Sequence, residues 1–401
     1  MTIVCAKYIV TCNKKFEILK NSAICFDKYI IDIGLKKDLI QKYPNAKVIS
    51  YDKNTILMPG LINTHIHLEF CANKSTLKYG NFVNWLKSVI KHREELISKC
   101  DKNAIDKVLK DILKSGVTTI GAISSFGFDL DSCVESELNV IYFNEILGSN
   151  PDMIDQSFEE FLKRFELSLG YKSKNFIPSI SIHSPYSTHP NLIKKVLQIA
   201  KEKDLVVSTH FLESEAEKEW LESGSGEFRE FFDSFSPNSK PVNSRSGYIE
   251  LFKDVKTIFT HVLFANESEL EKMQFISHCP ISNRLLSDKK LSLDIKPLIT
   301  IGTDGLSSNI SLNLWDELRV ALFIHDKWQL NTLSKWLLSF VTRNAALALG
   351  VNSGSLEIGK DADIIAIKME QNIEYEQDLI LQILLHTKKA NDVFIFGKRV
   401  C

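Results

Sequence analysis

The sequence predicts an α/β protein: a (β/α)8 barrel carrying a small β-sandwich assembled from both chain ends. Three observations point there. Eight short apolar runs alternate with stretches of helical periodicity through the middle of the chain. Five segments close a β-like run with a side chain able to bind a metal: His65 and His67, His210, His261, His278, and Asp304. Both chain ends are rich in short β-like runs broken by polar residues.

The first fifty residues hold Ile3-Val4, Lys7-Tyr8-Ile9-Val10-Thr11, Ala23-Ile24-Cys25-Phe26 and Tyr29-Ile30-Ile31-Asp32-Ile33-Gly34, read as a small antiparallel sheet. Ala362-Asp363-Ile364-Ile365-Ala366-Ile367 and Asp392-Val393-Phe394-Ile395-Phe396-Gly397 look alike at the other end. Neither fragment can bury a sheet face alone, so 1–58 and 350–401 are expected to pack together around a barrel at 59–349. The barrel strands are expected near 61–63, 117–123, 140–146, 179–183, 205–210, 257–261, 274–278 and 298–303. Helical periodicity separates most of them, as at 82–97, 104–113, 157–167, 192–202 and 314–324. Eight βα units in series argue for a TIM barrel, whose chemistry sits at the strand C-termini. No glycine-rich phosphate fingerprint follows the first strand, which counts against a doubly wound sheet. The stretch 223–246, rich in Gly, Ser, Pro and Phe, reads as a long loop with a short helix over the site.

Of 401 residues, 44% are hydrophobic and 25% charged, enough for a sizeable core. A net charge of -1 gives no reason to expect nucleic acid as partner. No apolar run is long enough to span a bilayer, so no membrane is expected either. Met1-Thr2-Ile3-Val4-Cys5-Ala6-Lys7 lacks the zones of a signal peptide. Eight cysteines without a C-x-x-C pair suit free thiols in a reducing cytoplasm.

His65 and His67 stand at i and i+2, so on a strand both imidazoles face one way. With His210 and Asp304 they make a three-nitrogen, one-carboxylate set that suits Zn²⁺ or Fe²⁺ and leaves room for water. Such a site activates water for hydrolysis. Glu213, three residues past His210, is placed to act as general base. Glu215 and Glu217 read as solvated helix-face charges. His261 either ligates the ion or stands off it to position hydroxide. His278 reads as structural or substrate-facing, and His183 as substrate-facing. His189 reads as a helix-entry residue, and His92, His325 and His386 as ordinary helix residues.

Pro59-Gly60-Leu61-Ile62-Asn63-Thr64-His65-Ile66-His67, His183-Ser184-Pro185-Tyr186-Ser187, His210-Phe211-Leu212-Glu213, His261, His278-Cys279-Pro280-Ile281-Ser282-Asn283 and Gly302-Thr303-Asp304-Gly305 resemble the amidohydrolase superfamily. The likeness is to its mononuclear deaminase and chlorohydrolase branch and runs nearly end to end. Gly354-Ser355-Leu356-Glu357-Ile358-Gly359-Lys360-Asp361-Ala362-Asp363 resembles that superfamily's return to its composite sandwich. By this resemblance His65, His67, His210 and Asp304 are ligands of one divalent metal ion per chain, Zn²⁺ or Fe²⁺. Glu213 shuttles protons, His261 orients the hydroxide and Asp304 takes part in the proton transfers. Strand four carries His183 and no lysine, so the bridging carboxylated lysine of two-metal members has no counterpart. His67-Leu68-Glu69 imitates the H-x-E of the other deaminase architecture, but no P-C-x-x-C follows.

Within that branch the chain is most similar to the aminodeoxyfutalosine deaminases of the futalosine route to menaquinone. Ser208-Thr209-His210-Phe211-Leu212-Glu213-Ser214, Ser282-Asn283-Arg284-Leu285-Leu286-Ser287 and Thr303-Asp304-Gly305-Leu306-Ser307-Ser308-Asn309 carry this finer likeness. It implies an adenine nucleoside as small-molecule substrate, deaminated at C6, and admits a homodimer. Deaminases of adenosine, methylthioadenosine or adenosylhomocysteine share much of the framework and stand as the alternative. A noncatalytic metal-binding scaffold would be expected to lose ligands or the proton shuttle, yet all are present. The substrate's benzoate calls for an arginine fork, and Arg284, then Arg245, are the candidates. Glu94, or its neighbour Glu95, is the candidate for the ribose hydroxyls. Phe228, Phe231 and Phe232 either cover the aromatic end or pack.

Overall fold

The structure, a computed structural model, describes residues 1–72 and 75–401. The chain opens with five strands, β1 (Thr2–Val10), β2 (Ile18–Phe26), β3 (Ile30–Leu35), β4 (Lys47–Ser50) and β5 (Thr55–Pro59). Eight follow through the middle: β6 (Leu61–Ile66), β7 (Val117–Ser124), β8 (Asn139–Ile146), β9 (Phe176–Ile182), β10 (Val207–Phe211), β11 (Thr257–His261), β12 (Phe275–His278) and β13 (Leu298–Ile301). Three close the chain, β14 (Ile364–Lys368), β15 (Asp392–Ile395) and β16 (Lys398–Arg399).

Strands β6 to β13 pair in parallel and in sequence order. All eight expected runs are strands of this barrel. The seam between first and last strand is closed largely by side chains. Asn63 Nδ2 donates to Thr303 Oγ1 at 2.8 Å, Thr303 N–H donates back to Asn63 Oδ1 at 3.2 Å, and Asp304 N–H donates to the His65 carbonyl at 3.0 Å. Gly302 is required by that approach: a Cβ there would lie 2.6 Å from the His65 Cβ. Beneath the upper end, Thr64 Oγ1 meets Ser277 Oγ at 2.9 Å and Thr300 Oγ1 at 2.8 Å, a buried layer of hydroxyls that satisfy one another.

Helices cover the outside of the barrel. In Lys102–Lys114 the side chains of Ile105, Leu109, Ile112 and Leu113 fall on one buried face, and Asp101 caps the start by accepting from the Ala104 N–H at 2.8 Å. Burying four such side chains is worth roughly 1.5–3 kcal/mol each before entropy is charged against it.

The two chain ends form one further sheet, in the order β16-β15-β14-β5-β1-β2-β3, with β4 also on β1. It is mixed, not antiparallel throughout: β1 runs parallel to β4 along Thr2–Cys5 and to β5 along Tyr8–Ile9. β1 changes partner halfway along its length, and Val4, Ile9, Ile24, Phe26, Leu57, Ile364 and Phe394 form one buried cluster shared by N- and C-terminal strands. In 223–246, two short helices, Glu227–Asp233 and the start of Arg245–Leu251, occupy what reads as loop. Among the described residues no helix is long and apolar enough to cross a membrane, and all eight cysteines are free.

Candidate active site

Five of the eight barrel strands deliver chemistry at or just beyond their C-terminal ends. His65, with His67 just past it, rises from β6, His210 from β10, His261 from β11, His278 from β12, and Asp304 follows β13. Alternation along β6 turns His65 and His67 to the same side. His210 Nε2 lies 3.2 Å from His65 Nε2 and 3.3 Å from His67 Nε2. Asp304 Oδ1 stands 3.7 Å from His65 Nε2 and 3.5 Å from His67 Nε2.

These spacings fit a shared cation. Nitrogens about 2.0–2.1 Å from one ion at tetrahedral angles stand roughly 3.3 Å apart. The tautomers fit too. His210 Nδ1 lies 2.7 Å from the His183 carbonyl oxygen, so its proton sits there and Nε2 offers a lone pair. Burial, with His65 beside it, pushes the His67 imidazole down to about 4, and burial holds His210 well below its usual value, so both rings are neutral at pH 7. The donor set is suited to one divalent metal ion.

Asp304 is anchored through both carboxylate oxygens. Ser282 and Ser308 donate to Oδ2 at 2.8 and 2.7 Å, and the Gly305 N–H donates to Oδ1 at 2.9 Å. Burial raises its carboxyl, but the imidazoles of His65, His67 and His261 outweigh that and hold it well below the usual range. Glu213 behaves oppositely: burial, then the charges of Asp304 and Glu217, push it well above an ordinary glutamate. His261 Nε2 faces Glu213 Oε1 at 3.5 Å and has no hydrogen-bond partner among the described residues. Glu213, His261 and Asp304 thus converge beside the three imidazoles. Leu212, His261, Val262 and Asp304 all have left-handed backbone, with φ of 49°, 71°, 55° and 58°. Non-glycine residues hold that conformation at a cost of roughly 1 kcal/mol or more each, so the strand ends are bent to aim these groups.

Other expected residues lie elsewhere or are already engaged. Arg284 is 61% exposed and paired with Asp288, just past the end of its own helix. Arg245 is bound in a fork by Glu269, with Nε at 2.8 Å and Nη2 at 2.6 Å, and also meets Glu222. Both guanidiniums are thus engaged by carboxylates of the chain itself. Glu94 and Glu95 are exposed on the helix Phe82–Ser98, outside the cluster, with Glu95 paired to Lys99. His183 holds Ser187 Oγ at 2.6 Å through Nδ1 and shares a cluster with Glu145 and His210. Phe228 and Phe231 are buried, packed with Phe82, Tyr186 and Phe232. His189 caps the helix Pro190–Glu202, as expected.

Several structural residues were not legible as such. Glu217 is fully buried, not solvated, and accepts the backbone N–H groups of Leu212 and Glu213. Glu69 is buried and gathers the N–H groups of Ser125, Phe126, Gly127 and Phe128. Its spacing from His65 and His67, at i+4 and i+2, was the available signal. Glu145, also fully buried, accepts from Ser125 Oγ and lies 4.0 Å from His210 Nδ1.

The Amidohydrolase family profile matches residues 56–400. An aminodeoxyfutalosine deaminase of Nitratiruptor sp. is 46% identical over 95% of this chain and 95% of its own. A Helicobacter pylori protein named adenosine deaminase is 37% identical over 99% of each. The crystal structure of Helicobacter pylori aminofutalosine deaminase with methylthio-coformycin superposes with a TM-score of 0.95 at 36% identity, covering both chains fully. With a profile match over most of its length and near-complete relatives at this identity, the chain belongs to the amidohydrolase family.

Proposed function

We propose that the chain is a hydrolytic deaminase that converts 6-aminodeoxyfutalosine to futalosine and ammonia, acting in the cytoplasm on the futalosine route to menaquinone. The observation that carries this is the 46% identity, along nearly the whole chain, with a protein named for that activity. The site supports it, because water addition to an aminopurine needs an activated water, a carboxyl that keeps the proton it takes, and a fixed carboxylate beside it.

His65, His67, His210 and Asp304 would hold one Zn²⁺ or Fe²⁺. Bound there, the ion supplies hydroxide at neutral pH by lowering the pKa of water from 15.7 toward about 7. Glu213 takes a proton from the water and passes it to the ring nitrogen beside C6. Its raised carboxyl suits that carrier role. Asp304 accepts the second proton of the water, which leaves with the amino group as ammonia. His261 turns its Nε2, unpartnered among the described residues, toward Glu213. For the substrate carboxylate we assign Arg93. Its guanidinium lies 4.8 Å over the Phe126 ring and makes no ion pair among the described residues. The Phe126 loop hangs on Glu69, two residues past His67.

An adenosine-type substrate is the second reading, favoured by the Helicobacter pylori relative of that name. Comparing kcat/KM for 6-aminodeoxyfutalosine, adenosine, methylthioadenosine and adenosylhomocysteine decides between them. The proposal requires the first to be highest, and fails if any other exceeds it.

A further inference from the structure

Behind His261 runs a file of buried polar side chains that leads away from the site. His261 Nδ1 lies 2.7 Å from Asn283 Oδ1. Asn283 Nδ2 lies 2.9 Å from His278 Nδ1. His278 Nε2 lies 3.2 Å from His325 Nε2. His261, His278 and Asn283 have no exposed surface, and His325, at the end of the helix Leu314–Ile324, is 4% exposed.

Each link dictates the next. An amide oxygen only accepts, so His261 must carry its proton on Nδ1. An amide nitrogen only donates, so His278 Nδ1 must be bare and its proton must sit on Nε2. That proton in turn needs a lone pair on His325 Nε2. With the file in this polarity, His261 presents a bare Nε2 to the space beside Glu213, where no atom of the described residues takes it. Without His278 and His325 the Asn283 amide could turn over and reverse the His261 tautomer at little cost.

We infer that Asn283, His278 and His325 are positioning residues that lock the His261 ring in its Nδ1–H form. The backbone backs this up, since His261 and Val262 are both held at positive φ and the Val262 N–H is tied to the Phe211 carbonyl at 2.9 Å. A ring so braced cannot rotate to find another partner. The adjacent Ser282 braces Asp304 from the same helix turn, so one short segment sets two of the groups that face the substrate.

This inference rests on the deaminase reading for its kinetic arm, so the primary measurement needs no substrate. In zinc-reconstituted protein labelled with ¹⁵N-histidine, long-range ¹H–¹⁵N spectra report which ring nitrogen is protonated, and His261→Gln identifies the His261 signals. The expected result is Nδ1–H in the parent and a mixed or reversed tautomer in His325→Leu. In His325→Gln, whose amide oxygen can accept from His278, the parent pattern returns. With whichever nucleoside is turned over, His325→Leu lowers kcat roughly ten- to a hundredfold, the usual cost of losing an outer partner of a site imidazole. KM changes little, and His325→Gln recovers most of the loss. An Nε2–H signal in the parent, or identical tautomers in His325→Leu and the parent, overturns the lock. Equal kcat losses in the Leu and Gln variants also overturn it, because that pattern is packing damage. If no nucleoside is deaminated, the deaminase reading fails while the tautomer result still decides this one.

Discussion

Glu217 clamps the backbone that carries Glu213. Its two carboxylate oxygens accept the N–H groups of Leu212 and Glu213, each at 2.9 Å. Burial pushes Glu217 up to about 7, although these N–H groups oppose that shift. Glu217→Gln keeps one acceptor and sets an amide N–H₂ against the other donor. An unsatisfied buried donor costs about 1–3 kcal/mol, and freeing the turn at Leu212 misaims the proton carrier. The variant is expected to melt earlier and to lose roughly tenfold or more in kcat. Glu215→Gln, where Glu215 is solvent-exposed and paired with Lys218, is expected to match the parent in both. Equal behaviour of the two variants would refute the clamp.

Arg93→Ala tests how the substrate's anionic end is held. If the guanidinium meets the benzoate, KM for 6-aminodeoxyfutalosine rises roughly tenfold or more, since a hydrogen bond to a charged group is worth about 1.5–3 kcal/mol. KM for adenosine, which lacks the carboxylate, stays where it was. Parallel changes for both nucleosides would remove Arg93 from the binding site and leave it an exposed arginine stacked on Phe126.

Chelation should unload the His65, His67 and His210 cluster. Activity is then expected to vanish and to return on adding zinc or ferrous iron, with about one ion per chain by elemental analysis. A ligand at a hundred times its Kd contributes about 2.7 kcal/mol to the folded state, so the metal-depleted protein should also melt earlier. In His67→Gln the metal content falls, whereas in Glu213→Gln it stays near one per chain while turnover drops roughly 10²–10⁴-fold, the range for a lost general base. Persistent turnover after complete metal removal would contradict the assignment.

The barrel and the imidazole cluster were legible for a common reason: both depend on local order. Each strand is a short apolar run, and a side chain just past its end points upward in any barrel. His65 and His67 needed only the two-residue period of β6 to face one way. The ion pair of Arg284 is equally local, since Asp288 stands four residues on, just past the end of the helix Pro280–Ser287. Arg245 could not be read at all, because its fork is Glu269, twenty-four positions away. Glu217 shows the deeper limit. A glutamate in the first turn of a helix looks the same in sequence whether it meets water or folds back. What decides is Leu212 at φ 49°, which turns two N–H groups inward, and no local propensity announces that. Asn283 was hidden similarly, because its role lies between His261 and His278 on different strands.

Asp363 gives the fold a pH dependence of its own. It lies just ahead of β14, buried where the end sheet meets the barrel, with Oδ1 accepting from the Phe396 N–H at 2.9 Å and Oδ2 from Asn139 Nδ2 at 2.8 Å. Burial pushes its carboxyl up to about 7, the two hydrogen bonds oppose this, and neighbouring Asp361 adds to it. In the unfolded chain the group titrates near 3.9. Between about pH 4 and pH 7 the folded state therefore binds the extra proton, and stability falls as pH rises through that window. The contribution is fully present below the unfolded value and lost above the folded one. Asp363→Asn removes the titration. Its amide oxygen still accepts from Phe396, and its N–H₂ can donate to Asn139 Oδ1, which has no partner among the described residues, if that amide turns over. Thermal unfolding of both proteins from pH 5 to pH 8.5 should show the native protein losing several degrees more than Asp363→Asn as pH rises, with the difference levelling off above about pH 7. Melting curves that stay parallel across the range would mean that Asp363 is already ionised at the bottom of it.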